Sequence, residues 1–210
     1  MDFFTEIADE RRLTADFLAE LSQDQLAAES LCSGWTVRDV GAHLLMPLVT
    51  STPRFLRAML GSRMDFDRAN MSLTKDVAGR STQAIIDGLR ANADSRFTPP
   101  GLGPQAPLTD LLVHGQDMRR PLGLSRDIPA DRQIAVLDFL CTGTKRGFVP
   151  PSRLAGLRLE AVDVAWSSGE GELVRGPAEA IMMAVTGRRG ALVDLTGPGA
   201  AVLSARTTQG

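Results

Sequence analysis

A change in the spacing of apolar residues divides this chain and limits what it can fold into. Up to about residue 148, apolar residues recur at steps of three and four, which is the spacing of helices with one buried face. From Leu157 to Trp166 apolar and polar residues alternate, as they do in a half-buried strand. We therefore predict a mainly α protein with a helical domain at residues 1–150 and a small α+β domain at residues 151–210.

The helical spacing covers most of the first part. The predicted helices are residues 2–21, a segment that starts at Thr36, and residues 55–61, 81–97, 107–123 and 130–144. Thr36 is followed three residues later by Asp39, a pairing that resembles a capping box, and Pro47 is expected to kink or end that helix. Residues 62–79 are polar and weakly patterned, so we predict a loop there with room for one helical turn, and a flap over a site is one interpretation of it. The charged residues 9–12 are interpreted as a solvated patch.

The second part is expected to contain short strands around one helix. Gly176 and Pro177 open an apolar segment that Gly187 closes, which predicts a helix. The sequence S-S-G-E-G-E-L-V after Trp166 predicts a turn and a returning strand. Residues 191–195 and 201–203 are further strand candidates.

Composition and charge exclude several classes of function. The 210 residues are 43% hydrophobic and 23% charged, as in ordinary globular proteins, and carry a net charge of −2. That charge gives no electrostatic case for binding nucleic acid or an anionic membrane. No run approaches the roughly 20 apolar residues of a membrane span, and the N-terminus is acidic where a signal peptide is basic. A cytoplasmic location is therefore expected.

Common catalytic motifs are absent from the sequence. There is no G-x-S-x-G, no P-loop, no dinucleotide-binding pattern and no H-E-x-x-H. The two cysteines, Cys32 and Cys141, indicate neither a disulfide framework nor a zinc ribbon. Cys32 is interpreted as a small packing residue.

The two histidines, His43 and His114, are the main candidates for chemistry. Asp110 lies four residues before His114, so on a helix both side chains leave the same face, and Asp117 lies near that face. A carboxylate and an imidazole on one face can hold a metal ion. The spacing alone also fits two histidines whose polar groups are satisfied by hydrogen bonds.

Arg119 and Arg120 follow at the end of the same predicted helix. With Asp117 they also fit a solvated helix end, where the arginines complement the helix dipole.

Two segments resemble a known family. G-W-T-V-R-D-V-G-A-H-L, followed about seventy residues later by D-L-L-V-H-G-Q-D-M-R-R-P-L-G, is similar to the mycothiol-dependent maleylpyruvate isomerase family of the DinB-like metalloenzyme superfamily. The later segment V-R-G-P-A-E-A-I-M-M-A-V-T-G-R resembles the small domain that follows the bundle in many members. The resemblance implies a DinB-like up-and-down four-helix bundle followed by a sterol-carrier-protein-like α+β domain.

The resemblance also implies a metal site and a thiol cofactor. It maps the three ligands of a divalent ion, zinc by expectation, onto His43, Asp110 and His114, where Asp110 stands in a place that is Glu in the isomerase itself. Asp117 is then expected to orient a ligand or a bound water, and Arg119 and Arg120 are candidates for cofactor binding. The resemblance implies mycothiol as cofactor or co-substrate, and an arginine-rich chain with two lysines among 23 basic residues fits an actinobacterial source.

Two functions remain open from the sequence. One is a metal-dependent isomerase or S-transferase that uses a metal-activated thiolate on a small electrophile. The other is a non-catalytic metal- or ligand-binding protein on the same fold. The sequence specifies neither the electrophile nor the thiol nor the metal, and the chain is expected to be a monomer or a homodimer.

Overall fold

The computed structural model of the protein describes residues 1–141 and 148–207 and is mainly α-helical. Helices α1 to α8 are Phe3–Glu20, Gln23–Ala27, Val37–Val49, Thr52–Gly61, Phe66–Ala78, Thr82–Ala91, Gln105–Arg119 and Ala130–Cys141. The remaining elements are α9 (Pro151–Leu154), β1 (Leu157–Ala161), β2 (Ser167–Gly169), β3 (Glu172–Gly176), α10 (Ala178–Val185) and α11 (Pro198–Thr207). The predicted mainly α fold with a small α+β part is confirmed. The predicted extension of α8 through residue 144 lies outside the described residues.

The chain groups into two compact units. One contains residues 2–99 and 110–125, and the other contains Met1, residues 100–109 and the described residues from 126 onwards. The division falls inside α7. The domain boundary that the sequence places after residue 150 stays a prediction.

The first unit is a set of packed helices around an apolar core. Helix α3 packs against α5 and α6, and α1 packs against α6. Close approach of α1 to α3 depends on Gly41, because a Cβ there would lie 2.7 Å from a methyl carbon of Leu18. The core side chains of this unit are fully or almost fully buried, as shown by Ile7, Val40, Leu45, Ile85 and Leu89.

The loop predicted at residues 62–79 is wrong, because most of this segment is helix α5. Asp65 caps the helix by accepting a hydrogen bond from the Arg68 amide. Ala69, Leu73 and Val77 are buried at steps of four residues. This short stripe is hard to recognise in the sequence, since polar residues surround it on the other faces.

The solvated patch predicted at residues 9–12 is wrong for Glu10 and Arg11, which are 1% and 3% exposed. Arg11 donates hydrogen bonds to the carbonyls of Ala93 and Ser95, at 2.8 and 2.6 Å. Both carbonyls lie just beyond the end of α6, where the chain has no helical donors for them. Arg11 therefore ties the N-terminal helix to the end of α6.

The second unit contains a three-stranded sheet in the order β2-β1-β3. Strand β1 pairs antiparallel with β2 and parallel with β3. The predicted strand from Leu157 ends five residues early, at Ala161, and the chain then turns. In that turn the Asp163 carboxylate accepts a hydrogen bond of 2.8 Å from the Ala178 amide, so it caps α10 instead of continuing the strand.

The strands predicted at residues 191–195 and 201–203 are wrong. The first segment forms most of a 3₁₀ helix, Arg189–Asp194, and the second lies in α11. Gly199, Leu203 and Thr207 are buried at steps of four residues, which shows that the apolar pattern here has a helical period.

Among the described residues, no helix combines the length and the apolar character needed to cross a membrane.

Candidate metal centre

Helix α3 brings His43 to the site. The helix begins with the predicted capping box, in which the Thr36 hydroxyl accepts a hydrogen bond from the Asp39 amide and Asp39 accepts one from the Thr36 amide. His43 lies two turns further on and is 8% exposed. Pro47 follows four residues after His43, and the helix continues past it to Val49.

Helix α7 supplies the acidic residues and the second histidine. Asp110, His114 and Asp117 follow at steps of four and three, so their side chains leave one face of the helix. The opposite face is apolar, and Leu108, Leu111 and Leu112 on this helix are buried. The helix predicted over residues 107–123 ends close to its predicted end, because α7 passes after Arg119 into a 3₁₀ turn, Arg120–Leu122, that ends at Gly123 in the left-handed conformation.

The three residues predicted as metal ligands lie together. Nε2 of His114 is 3.3 Å from Oδ1 of Asp110, and Nε2 of His43 is 3.7 Å from Oδ2 of the same carboxylate. The two imidazole centroids are 4.8 Å apart. One donor atom from each of the three residues fits within 4.8 Å of the others.

The far side of each imidazole is held by another side chain. Nδ1 of His114 donates a 2.9 Å hydrogen bond to Oδ2 of Asp117, and Nδ1 of His43 lies 3.4 Å from the Thr74 hydroxyl on α5. The Trp35 ring lies against His43 with centroids 5.1 Å apart. Partners at Nδ1 leave Nε2 of both rings directed at Asp110, as ligating histidines require.

Asp110 and His114 shift each other's pKa in opposite directions. Burial opposes the charged forms and alone would raise the pKa of Asp110 and lower that of His114. Their mutual attraction outweighs burial, so the pKa of Asp110 lies below its usual range and the pKa of His114 lies well above its usual value. Contacts of His114 with Asp117 and Cys32 raise its pKa further. Both shifts favour the charged forms, an ionised Asp110 beside a protonated His114.

Exposure falls along the site. The side chain of Asp110 is 33% exposed, those of His43 and His114 are 10% and 13% exposed, and Asp117 has no exposed surface. Solvent and small molecules thus meet the Asp110 end of the cluster, while Asp117 is sealed behind His114.

The donor set fits a divalent ion such as zinc. Zinc bonds to nitrogen and oxygen are about 2.0–2.2 Å long, so neighbouring ligand atoms in a tetrahedral site are about 3.3 Å apart. The two Nε2–carboxylate distances, 3.3 and 3.7 Å, are close to that value. Two imidazoles and one carboxylate also match the three-ligand type of site that leaves a coordination position open.

Sequence reasoning missed Cys32 and Thr74. Sγ of Cys32 lies 3.1 Å from Oδ2 of Asp117 and 3.5 Å from Nδ1 of His114, which places it beside the site and not simply in packing. Thr74 lies in α5, the helix that was predicted as a loop. Neither residue has a local sequence signal, since both reach the site only through tertiary packing.

Arg119 makes contacts within the helical unit. Its Cζ lies 3.8 Å from the centroid of the Phe17 ring, and its Nη1 donates a 3.2 Å hydrogen bond to the Gly115 carbonyl. Arg119 is 7% exposed, so it is not part of a solvated helix end. Arg120 begins the 3₁₀ turn. Cofactor binding by either arginine stays a prediction.

Comparisons with known proteins agree with this fold. Residues 7–98 match the family model described as the mycothiol maleylpyruvate isomerase N-terminal domain. The crystal structure of the mycothiol-dependent maleylpyruvate isomerase superposes with a TM-score of 0.60 at 17% identity, over 95% of this chain and 92% of that one. A histidine-to-alanine mutant of that enzyme gives a TM-score of 0.58 at 16% identity, with the same coverage. A search of curated proteins finds no match.

The family match and the structural match cover different parts of the site. The family match contains His43, Thr74 and Cys32, whereas Asp110, His114 and Asp117 fall in the region covered by the structural match alone. The resemblance drawn from the sequence is confirmed: this chain resembles the mycothiol-dependent maleylpyruvate isomerase family, in sequence over residues 7–98 and in fold over 95% of its length.

Proposed function

We propose that the protein is a metal-dependent isomerase or S-transferase that uses mycothiol on a small electrophilic substrate. The observation that carries this proposal is the convergence of His43, Asp110 and His114, whose donor atoms lie within 4.8 Å of one another. The names of the family match and of the solved structures supply the thiol and the reaction class.

The roles of the residues follow from their contacts. His43 and His114 offer Nε2 lone pairs, and Asp110 supplies the one negative charge that offsets part of a divalent cation's charge. Asp117 accepts a hydrogen bond from the Nδ1–H of His114 and so keeps the Nε2 lone pair directed at the metal position. A divalent ion held by His43, Asp110 and His114 would lower the pKa of a thiol at the open position and so favour the thiolate near neutral pH.

The exposed end of the cluster suits a thiol supplied from solution. Asp110 is the most exposed of the three proposed ligands, so a thiol and an electrophile reach the site from its side. A thiolate adds to an electrophilic carbon or a conjugated alkene. In an isomerisation the thiol leaves again and is not consumed, whereas in a transfer it stays in the product.

The test combines metal analysis with an activity assay. Purified protein is analysed for divalent metals and then assayed with mycothiol, with a second thiol, and with a panel of electrophiles that includes maleylpyruvate. The proposal expects about one metal ion per chain and turnover that needs both metal and mycothiol. Asp110→Asn is expected to lose both metal and turnover, while the matched control Asp87→Asn, an exposed carboxylate on α6, is expected to keep them.

The possible results separate the alternatives. Metal binding without turnover of any electrophile would support a non-catalytic metal-binding protein on this fold. Turnover with the second thiol alone would show that mycothiol is not the cofactor. Protein without any metal affinity would refute the proposal.

A further inference from the structure

His114 is shared by two groups of potential metal ligands. Its Nε2 faces Asp110 in the cluster with His43, and its Nδ1 faces Cys32 and Asp117. In the second group, too, one donor atom from each residue lies within 4.8 Å of the others. The function proposed above uses only the Nε2 side of the ring as a metal ligand.

The Nδ1 side has the dimensions of a metal site. Sγ of Cys32 is 3.1 Å from Oδ2 of Asp117 and 3.5 Å from Nδ1 of His114, and the last two atoms are 2.9 Å apart. With Zn–S bonds of about 2.3 Å and Zn–N bonds of about 2.0 Å, the tetrahedral separations are about 3.6 Å for S···N and S···O and about 3.3 Å for N···O. The three atoms therefore need to move apart by about 0.5 Å or less to hold an ion.

The loop that carries Cys32 is tied in place beside Asp117. The Leu31 amide donates a 3.0 Å hydrogen bond to the Asp117 carbonyl on α7. The Ser30 hydroxyl accepts a hydrogen bond from the Cys32 amide and donates one to the Trp35 carbonyl, at 3.1 and 2.8 Å. The sulfur is thus held next to α7 by the backbone of its own loop, and Cys32 is only half-buried, so ions can reach it.

We propose that Cys32, Asp117 and Nδ1 of His114 form a second, alternative metal site that prefers soft divalent cations such as Cd²⁺. Thiolate sulfur is a soft ligand, and the first cluster offers only nitrogen and oxygen. On binding, the Cys32 thiol releases its proton to solvent and a metal–sulfur bond forms.

The two sites exclude each other because they share one ring. A neutral imidazole has one N–H and one lone pair, so His114 binds metal through Nε2 or through Nδ1. When Nδ1 binds the ion, the N–H moves to Nε2 and points at Asp110, so His114 no longer offers a lone pair to the cluster with His43. A soft cation is therefore an inhibitor of any chemistry at the first cluster, without contact with His43.

A Cd²⁺ titration of metal-free protein tests this site. Ultraviolet absorption from thiolate-to-cadmium charge transfer reports a cysteine ligand directly. We expect the band in the wild type to saturate at about one Cd²⁺ per chain. The band should persist in His43→Ala, which removes a ligand of the first cluster only, and disappear in Cys32→Ser.

Cys141→Ser is the matched control, because this chain has two cysteines. Burial, with a smaller contribution from Asp138, raises the pKa of Cys141 to about 12, which makes it a poor thiolate donor at neutral pH. The Cys141→Ser variant should keep the full band. A band that persists in Cys32→Ser or is lost in Cys141→Ser would overturn the proposal, as would a wild type without any band.

A second measurement protects the test against a misfolded variant. The ¹¹³Cd resonance of the wild-type protein distinguishes one sulfur ligand from a site of nitrogen and oxygen alone, and needs no substitution.

Mutual exclusion of the two sites is tested by offering Zn²⁺ and Cd²⁺ together in excess. A total of about one divalent ion per chain is expected, whereas two ions per chain would contradict the sharing of His114. If the wild type shows no Cd²⁺ band but the zinc-loaded protein is active, the second site is refuted and the proposed function stands.

Discussion

Oδ2 of Asp117 accepts a 2.9 Å hydrogen bond from Nδ1 of His114, and the Asp117 side chain has no exposed surface. A buried carboxylate that accepts a hydrogen bond from Nδ1 of a histidine keeps the proton on Nδ1, so the lone pair of Nε2 stays available for a metal ion. The pair thus connects the fully buried Asp117 end of the cluster with its exposed Asp110 end.

Asp117→Asn tests this pairing. The substitution keeps the shape of the side chain but removes its charge, so the Nδ1–H of His114 is held less strongly. We expect metal affinity to fall by about 10- to 100-fold, as is typical for partners of ligating histidines. Competition with a chromogenic chelator measures the change. Affinity equal to that of Asp87→Asn would show that Asp117 has no part in metal binding.

The stability of the metal-free protein is expected to fall as pH rises above about 6.5. The pKa of His114 is raised in the folded state, so its stabilising contribution is fully present below the unfolded value, about 6.5, and is lost as pH rises through the higher folded value. One such group changes the free energy of unfolding by at most about 1.4 kcal/mol per pH unit. Urea denaturation in the presence of a chelator, at pH 6 and pH 8, measures the difference.

Two comparisons check that His114 is the source of this pH dependence. The variant His114→Gln should show a smaller fall between pH 6 and pH 8. Protein saturated with metal should show the opposite trend, because the ion binds deprotonated His114 and protons compete with it. A metal-free protein that becomes more stable between pH 6 and pH 8 would contradict the raised pKa.

Asp110→Ala should lose metal but keep its fold. Asp110 is a third exposed, whereas Leu108, Leu111 and Leu112 on the same helix are buried, so the stability of α7 rests on packing and not on the carboxylate. We expect a normal circular dichroism spectrum, a cooperative melt and no bound metal. A variant that remains loaded would exclude Asp110 as a ligand, and one that is unfolded would indicate a structural metal site.

Arg11→Leu should destabilise the protein more than Arg12→Leu. Arg11 is 3% exposed and donates to the carbonyls of Ala93 and Ser95, which lose their donor in the variant. Buried acceptors left unpaired cost about 1–3 kcal/mol. Arg12 forms an exposed ion pair with Asp94, and such pairs contribute about 0–1 kcal/mol. Urea denaturation of the two variants makes the comparison, and equal losses would refute the role of Arg11.

The features that could be predicted from the sequence are those set by residues close together in the chain. The capping box at Thr36 and the shared face of Asp110, His114 and Asp117 follow from spacing along one helix. The spacing of Leu108, Leu111 and Leu112 likewise places the buried leucines of α7 on the side opposite Asp110, His114 and Asp117.

Features that depend on distant residues were not predictable in this way. Cys32 and Thr74 reach the cluster from a loop and from another helix, and the carbonyls that bind Arg11 lie about 80 residues away in the chain. At residues 201–203 three apolar positions cannot distinguish a strand from a helix, whereas burial of Gly199, Leu203 and Thr207 shows the helical period.

One backbone hydrogen bond is missing from the turn of α3 between His43 and Pro47. The residue four places after a helical carbonyl normally donates to it, and for the His43 carbonyl that residue is Pro47, which has no N–H. The helix nevertheless continues beyond Pro47 to Val49. Trp35 and Thr74, which contact the imidazole from outside α3, therefore help to hold its direction where the helix lacks this hydrogen bond.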